Sequence, residues 1–132
     1  MSRPGKTAGM RHLALNVVRL DECRHFYVDL LGMDVEWNPD ADNYYLTSGS
    51  DNLALHRTGQ TLADAKFQHL DHLGFILNSP EEVSQWHNFL KEEQVKMHSD
   101  VRHHRDGAVS FYCEDPDGNR VQMMYHPPIS AK

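Results

Sequence analysis

From position 11 to 17 the chain reads RHLALNV, and side-chain character alternates strictly. Leu13, Leu15 and Val17 fall on one side of the backbone, and His12, Ala14 and Asn16 on the other, which is the two-residue period of a strand. The period then changes. Leu20, Cys23, Phe26, Tyr27, Leu30 and Leu31 recur at helical spacing, and Gly32 supplies a stop. Sixty positions after His12 the pattern starts again at His72. A strand over 71–77 sets Leu73, Phe75 and Leu77 against His72, Gly74 and Ile76. A helix marked by Val83, Trp86, His87 and Leu90 follows. Its start is well specified: Ser79 as cap, Pro80 in the first turn and Glu82 completing a Ser-x-x-Glu box.

Three short strands are expected after each helix, over 33–38, 43–48 and 52–57 and over 95–102, 108–114 and 119–126. The last two of each set flank matching turns, SGSDN and DPDGN. Setting LTSGSDNLALH over EDPDGNRVQMM pairs Tyr44 with Tyr112 and Ala54 with Gln122. The chain is therefore an internal repeat of two βαβββ units. The expected organisation is a flexible tail over 1–9, units over 10–57 and 70–127 forming one compact domain, a linker over 58–69 and a tail over 128–132. The leucine-rich strand faces need helices against them. The opposite faces, which carry His12, His72, Gln122, Met124, His56 and the two paired tyrosines, would line a concave, polar cup in which a ligand can bind.

Composition narrows the function. A chain of 132 residues with 13 basic and 19 acidic side chains, net −6, lacks the clustered cations that a nucleic-acid surface needs. No apolar run approaches the roughly 20 residues of a membrane span. The polar N-terminal stretch reads as a tail rather than a signal peptide. Two cysteines, Cys23 and Cys113, read as reduced thiols of a cytoplasmic protein. Ten histidines are many for this length. His25, His69, His87 and His98 are taken as surface or helix residues, and RHHRD, with His103 and His104, as a charged turn.

The paired units, the opening His12-Leu13-x-Leu15, Phe26-Tyr27 ahead of Leu31-Gly32-Met33, and Phe111-Tyr112 ahead of Asp115-Pro116-Asp117-Gly118-Asn119 together resemble the vicinal oxygen chelate superfamily of glyoxalases, bleomycin resistance proteins and extradiol dioxygenases. The resemblance spans about 10–127. It implies an α+β fold in which the two units form an open eight-stranded barrel-like cup, with helices outside. It also implies a divalent metal (iron, manganese, nickel or zinc) bound by His12 and His72 from the first strands, a small-molecule substrate and a homodimer. The third ligand of the family, a glutamate on the last strand, falls on Gln122, and its first-unit counterpart on Ala54. His56, two residues further, is a substrate-wall residue or a substitute ligand. His103 and Tyr112 resemble the catalytic His and Tyr of extradiol dioxygenases, and Asn16, Tyr44, His56 and Met124 are expected to contact substrate. Two readings stay open: a metal-dependent dioxygenase or lyase/isomerase, and a metal-free binding protein of the bleomycin-resistance type.

Overall fold

A computed structural model describes Pro4, residues 10–60 and residues 70–130. Most of the expected tail over 1–9, most of the linker over 58–69 and the last two residues lie outside that range. The fold is α+β, with two four-stranded mixed sheets and three helices among the described residues. The chain divides into two compact units, Met1–Thr61 and Leu62–Lys132.

In the first unit β1 (His12–Val17) leads into α1 (Leu20–Arg24), which continues as a π-helical turn over His25–Leu30. The widened turn shows in Leu31 N–H donating to the Phe26 carbonyl, five residues back. The sequence pattern predicted an ordinary helix here. Widening brings the consecutive Phe26 and Tyr27 both into the core, edge to face at 4.9 Å between ring centroids. Gly32, at φ +84°, ends the helix as expected. β2 (Asp34–Asp40), β3 (Asn43–Thr47) and β4 (Asn52–Arg57) follow, in the sheet order β1-β4-β3-β2, with β1 parallel to β4 and the other pairs antiparallel. Leu15, Val17, Leu46, Leu53 and Leu55 are buried on the face that carries α1, together with Leu20 and Cys23.

The second unit repeats the plan. β5 (Leu73–Ile76) precedes α2 (Pro80–Glu92), and β6 (Arg102–His103), β7 (Val109–Glu114) and β8 (Arg120–Tyr125) complete the sheet β5-β8-β7-β6. Ser79 caps α2 as its sequence dictates, its hydroxyl accepting from Glu82 N–H at 3.3 Å. Glu82 reaches one residue further back than a capping box usually does, accepting from Asn78 N–H at 2.7 Å. The strand expected over 95–102 shrinks to Arg102–His103 plus a single bridge between Met97 and Cys113. A short α3 (Pro127–Ser130) closes the described chain, where a tail was expected. Val83 and Leu90 of α2 are buried with Val109, Phe111, Cys113, Val121 and Met123 of β7 and β8, which makes the core of this unit.

Candidate functional site

Strand register fixes which side chains share the face turned away from each helix. In the second unit Gln122 pairs with Gly74 on one side and Tyr112 on the other. Met124 pairs with Ile76 and Ser110, and Ser110 with Arg102. The Met97–Cys113 bridge extends the rows, because His98 N–H donates to the Tyr112 carbonyl at 2.8 Å and Glu114 N–H to the Lys96 carbonyl at 2.9 Å. His98 therefore stands beside Tyr112, and Lys96 beside Glu114, on the face of Gln122. Just before β5, the His72 ring meets the Tyr112 ring edge-on at 5.3 Å. His72, Gln122, Tyr112 and Met124 are thus brought to one face, as expected. Gly74 leaves the strand bare beside Gln122, since a Cβ there would meet the Gln122 carbonyl at 3.4 Å.

His103 is not among them. It pairs with Val109, whose neighbours on that side are core residues, so it points to the face opposite Tyr112 and is exposed. The histidine that meets Ser110 is His104, whose Nε2 lies 3.1 Å from the hydroxyl. Gln122 Nε2 donates to the same hydroxyl at 3.1 Å. With Ser110 Oγ accepting from the amide, its own proton is free to go to His104, and among the described residues Gln122 Oε1 is left as an unshared acceptor. The amide is thus oriented by a Ser–His pair that the sequence did not announce.

In the first unit, register places His12 opposite Asn52, Ala14 opposite Ala54 and Asn16 opposite His56. Ala54 in turn pairs with Tyr45, and His56 with Asn43. The tyrosine on the His12 face is therefore Tyr45. Tyr44 pairs with Leu55, faces the helix side and lies under the Arg24 guanidinium at 5.8 Å, so it is removed from the expected substrate wall. Val35 opposes Leu46 and Trp37 opposes Tyr45, which makes Glu36 the extra residue of a bulge. The bulge turns Trp37 onto Tyr45, stacked at 5.0 Å. Glu36 meanwhile accepts from Asn52 Nδ2 at 3.2 Å. His56 is engaged on two sides, by Asn43 Oδ1 at 2.6 Å from its Nδ1 and by the Tyr45 ring at 5.8 Å.

The two opening histidines share one feature. His12 Nδ1 lies 2.8 Å from Asn52 Oδ1, and His72 Nδ1 lies 2.6 Å from Asp71 Oδ2. Each contact holds the Nδ1 proton and leaves Nε2 with its lone pair, the tautomer a metal ligand needs. The hydrogen bond from His72 is the main cause that holds the Asp71 carboxyl below its ordinary range. No group of three or more His, Cys, Asp or Glu able to hold a metal occurs among the described residues. Ala54 and Gln122, at the positions where the resemblance expects glutamate, supply no carboxylate. The donors that the second unit keeps on this face, the His72 imidazole and the Gln122 amide oxygen, can each ligate a divalent ion but bring no negative charge to it.

Comparison with known proteins agrees with this plan. The model of the Glyoxalase/Bleomycin resistance protein/Dioxygenase superfamily matches residues 9–123. The metallothiol transferase FosB of Staphylococcus epidermidis is 26% identical over 114 residues, covering 86% of this chain and 79% of that protein. The crystal structure of lactoylglutathione lyase from Agrobacterium tumefaciens superposes with a TM-score of 0.77 at 21% identity, covering 96% of this chain and 98% of that one. A glyoxalase/bleomycin resistance protein/dioxygenase from Alicyclobacillus acidocaldarius gives a TM-score of 0.70 at 21% identity, over 90% and 92% of the two chains. At these identities the structural matches speak for the fold.

Proposed function

Since the chain belongs to the glyoxalase/bleomycin resistance protein/dioxygenase superfamily, we propose that it is a metal-dependent enzyme acting on a small molecule that presents two adjacent oxygens. His12 and His72 are the proposed ligands, each through Nε2, with Gln122 Oε1 as a weak third. The observation that carries this reading is the pair of histidines at equivalent positions, each with Nδ1 tied to a side-chain oxygen. A bound divalent ion would supply Lewis acidity toward the substrate oxygens.

The chain's own residues supply the rest. Tyr112, half-buried beside His72, offers a phenol as hydrogen-bond donor to a substrate oxygen. Met124 and Ile76 give the same face an apolar floor, and Arg102, in register with Ser110, adds a cation to it. Because the ligand set is neutral, an anionic substrate supplies the missing charge, so metal and substrate bind cooperatively. A ring-cleaving dioxygenase drew its support from the spacing of His103, Tyr112 and Gln122 along the sequence. With His103 on the other face, lyase, isomerase or transferase chemistry is favoured. FosB and lactoylglutathione lyase, to which the chain is similar, bear names of that kind. The reading includes a homodimer, which sedimentation of the purified chain checks.

The test is metal content by mass spectrometry of untagged protein, before and after reconstitution with iron, manganese, nickel and zinc. Near-stoichiometric metal that is lost in His12→Ala and in His72→Ala supports the proposal. No uptake of any ion favours the second reading, a metal-free binding protein of the bleomycin-resistance type. That alternative rests on the two missing carboxylates at Ala54 and Gln122.

A further inference from the structure

Gln122 lacks a carboxylate, yet its face does not. Glu114 is on β7 two residues beyond Tyr112, on the same side of the sheet, and its side chain is only 15% exposed. Its Oε2 is buried and lies 3.0 Å from His98 Nε2 and 3.0 Å from Lys96 Nζ, without hydrogen-bond alignment to either. Lys96 is largely in solvent, with 75% of its side chain exposed, so water weakens its hold on the carboxylate. His98 lies at the same distance and is the more enclosed partner. Its side chain is 33% exposed, and its backbone is bonded to Tyr112, in the row that continues through Gln122 to Gly74. A carboxylate too enclosed to meet substrate thus backs an imidazole that can reach it.

We infer that His98 and Glu114 form the proton-transfer pair of this site, with His98 as the catalytic base and Glu114 as its positioning residue. The inference rests on the enzyme reading above and assigns the residues that would move its proton. In the proton-transfer step, His98 Nδ1 takes the proton from a carbon that lies next to a carbonyl and bears a hydroxyl. The C–H bonding pair moves into the C–C bond as the carbonyl becomes an enolate, and Glu114, 3.0 Å from Nε2, compensates the imidazolium. Return of the proton, or of one from solvent, to the same carbon completes an exchange; return to the other carbon, with the hydroxyl proton passing to the enolate oxygen, completes an isomerisation, and neither needs another reactant. Tyr112, between His98 and Gln122, is positioned to donate to the enolate oxygen. The charged and titratable groups that face His98 are Glu114, Lys96 and Tyr112, with His72 and Arg120 packed beyond on the Tyr112 ring.

The experiment is proton wash-out in D2O followed by ¹H NMR, with S-lactoylglutathione and acetoin as probes. Both carry a hydroxyl and a carbonyl on adjacent carbons. Wild-type protein is run with its metal content measured in the same sample, and again after chelation. Exchange at the hydroxyl-bearing carbon that falls about 100-fold in His98→Ala and recovers on addition of free imidazole supports the pair. Glu114→Gln should lose about tenfold and Glu114→Asp less, a rescue that a merely structural carboxylate would not show. Exchange that is unchanged in His98→Ala overturns the inference, as does the absence of exchange with both probes in loaded and chelated protein alike. Failure of the metal reading is seen separately, in the mass spectrum. A metal-free protein whose exchange still depends on His98 keeps the pair and loses only the ion.

Discussion

The two units have the same strand order and the same parallel pairing of first and last strands, and each opens with a histidine tied through Nδ1. They differ in what fills the face away from the helix. In the first unit the position equivalent to Gln122 is Ala54, and Trp37, Tyr45 and His56 pack against one another across the sheet. In the second unit Tyr112 stands among His72, Gln122 and His98, with a buried carboxylate behind. One fold has been used twice, once mainly as a stacked wall and once as a set of proton-bearing groups. The repeat therefore explains the scaffold, and its broken symmetry is what the proposed chemistry rests on.

That contrast can be broken most severely in the cores. Phe26→Ala in the first unit and Phe111→Ala in the second each remove a fully buried ring, and each should lose about 3–5 kcal/mol in urea titrations. A much smaller loss in one of them would mean that its unit is loosely packed. The next test concerns the missing carboxylates. Gln122→Glu should raise divalent-metal affinity about tenfold or more in calorimetry, because it supplies the anionic ligand that a neutral site lacks. Ala54→Glu should gain less, since its pair partner Tyr45 is already stacked on Trp37. Equal gains would erase the distinction between the units.

A third test uses Cys113, whose thiol is pushed up to about 12, first by burial and then by the charges of Asp115 and Glu114. It should resist alkylation at pH 8 until the protein unfolds. The raised value contributes stability that is complete below the unfolded thiol's pKa, near 9. That stability is lost as pH climbs toward 12, so wild-type protein should weaken there more than Cys113→Ser. The smallest effect concerns the helix ends. Both first-unit and second-unit helices stop on a left-handed residue, Gly32 at φ +84° and Gln94 at φ +64°. Gln94→Gly should gain about 0.5–1 kcal/mol and Gly32→Gln should lose about 1, as thermal melts would register.

Much of this was legible in the sequence, because the two- and 3.6-residue periods survive wherever one face is buried. The faces of His12, His72, Gln122 and Met124 were read that way, and the Ser79 cap from its Ser-x-x-Glu box. Tyr44 was misplaced by a single residue. Tyr45 and Ala54 pair nine positions apart, whereas Tyr112 and Gln122 pair ten apart, so the first hairpin is one residue shorter. A one-residue slip moves a side chain to the other face. The same parity removes His103, which a short strand couples to Val109. His98 was passed over because 95–101 lacks a clean alternation and is held mainly by one bridge. Glu114 carried a usable signal, lying two residues beyond Tyr112 and so on its face. The π-helical turn had none, since it answers to the packing of Phe26 and Tyr27.

The bare strand at Gly74 has one more consequence. Its backbone needs no unusual angle, and among the described residues a Cβ there would meet only Gln122 within 4 Å. The depth of the second unit's working face is therefore a one-residue variable. Alanine or valine there would shorten the reach to Gln122 step by step without altering a single polar group. A lineage or a designer seeking smaller substrates could set the size limit at this position and leave the acid–base groups as they are.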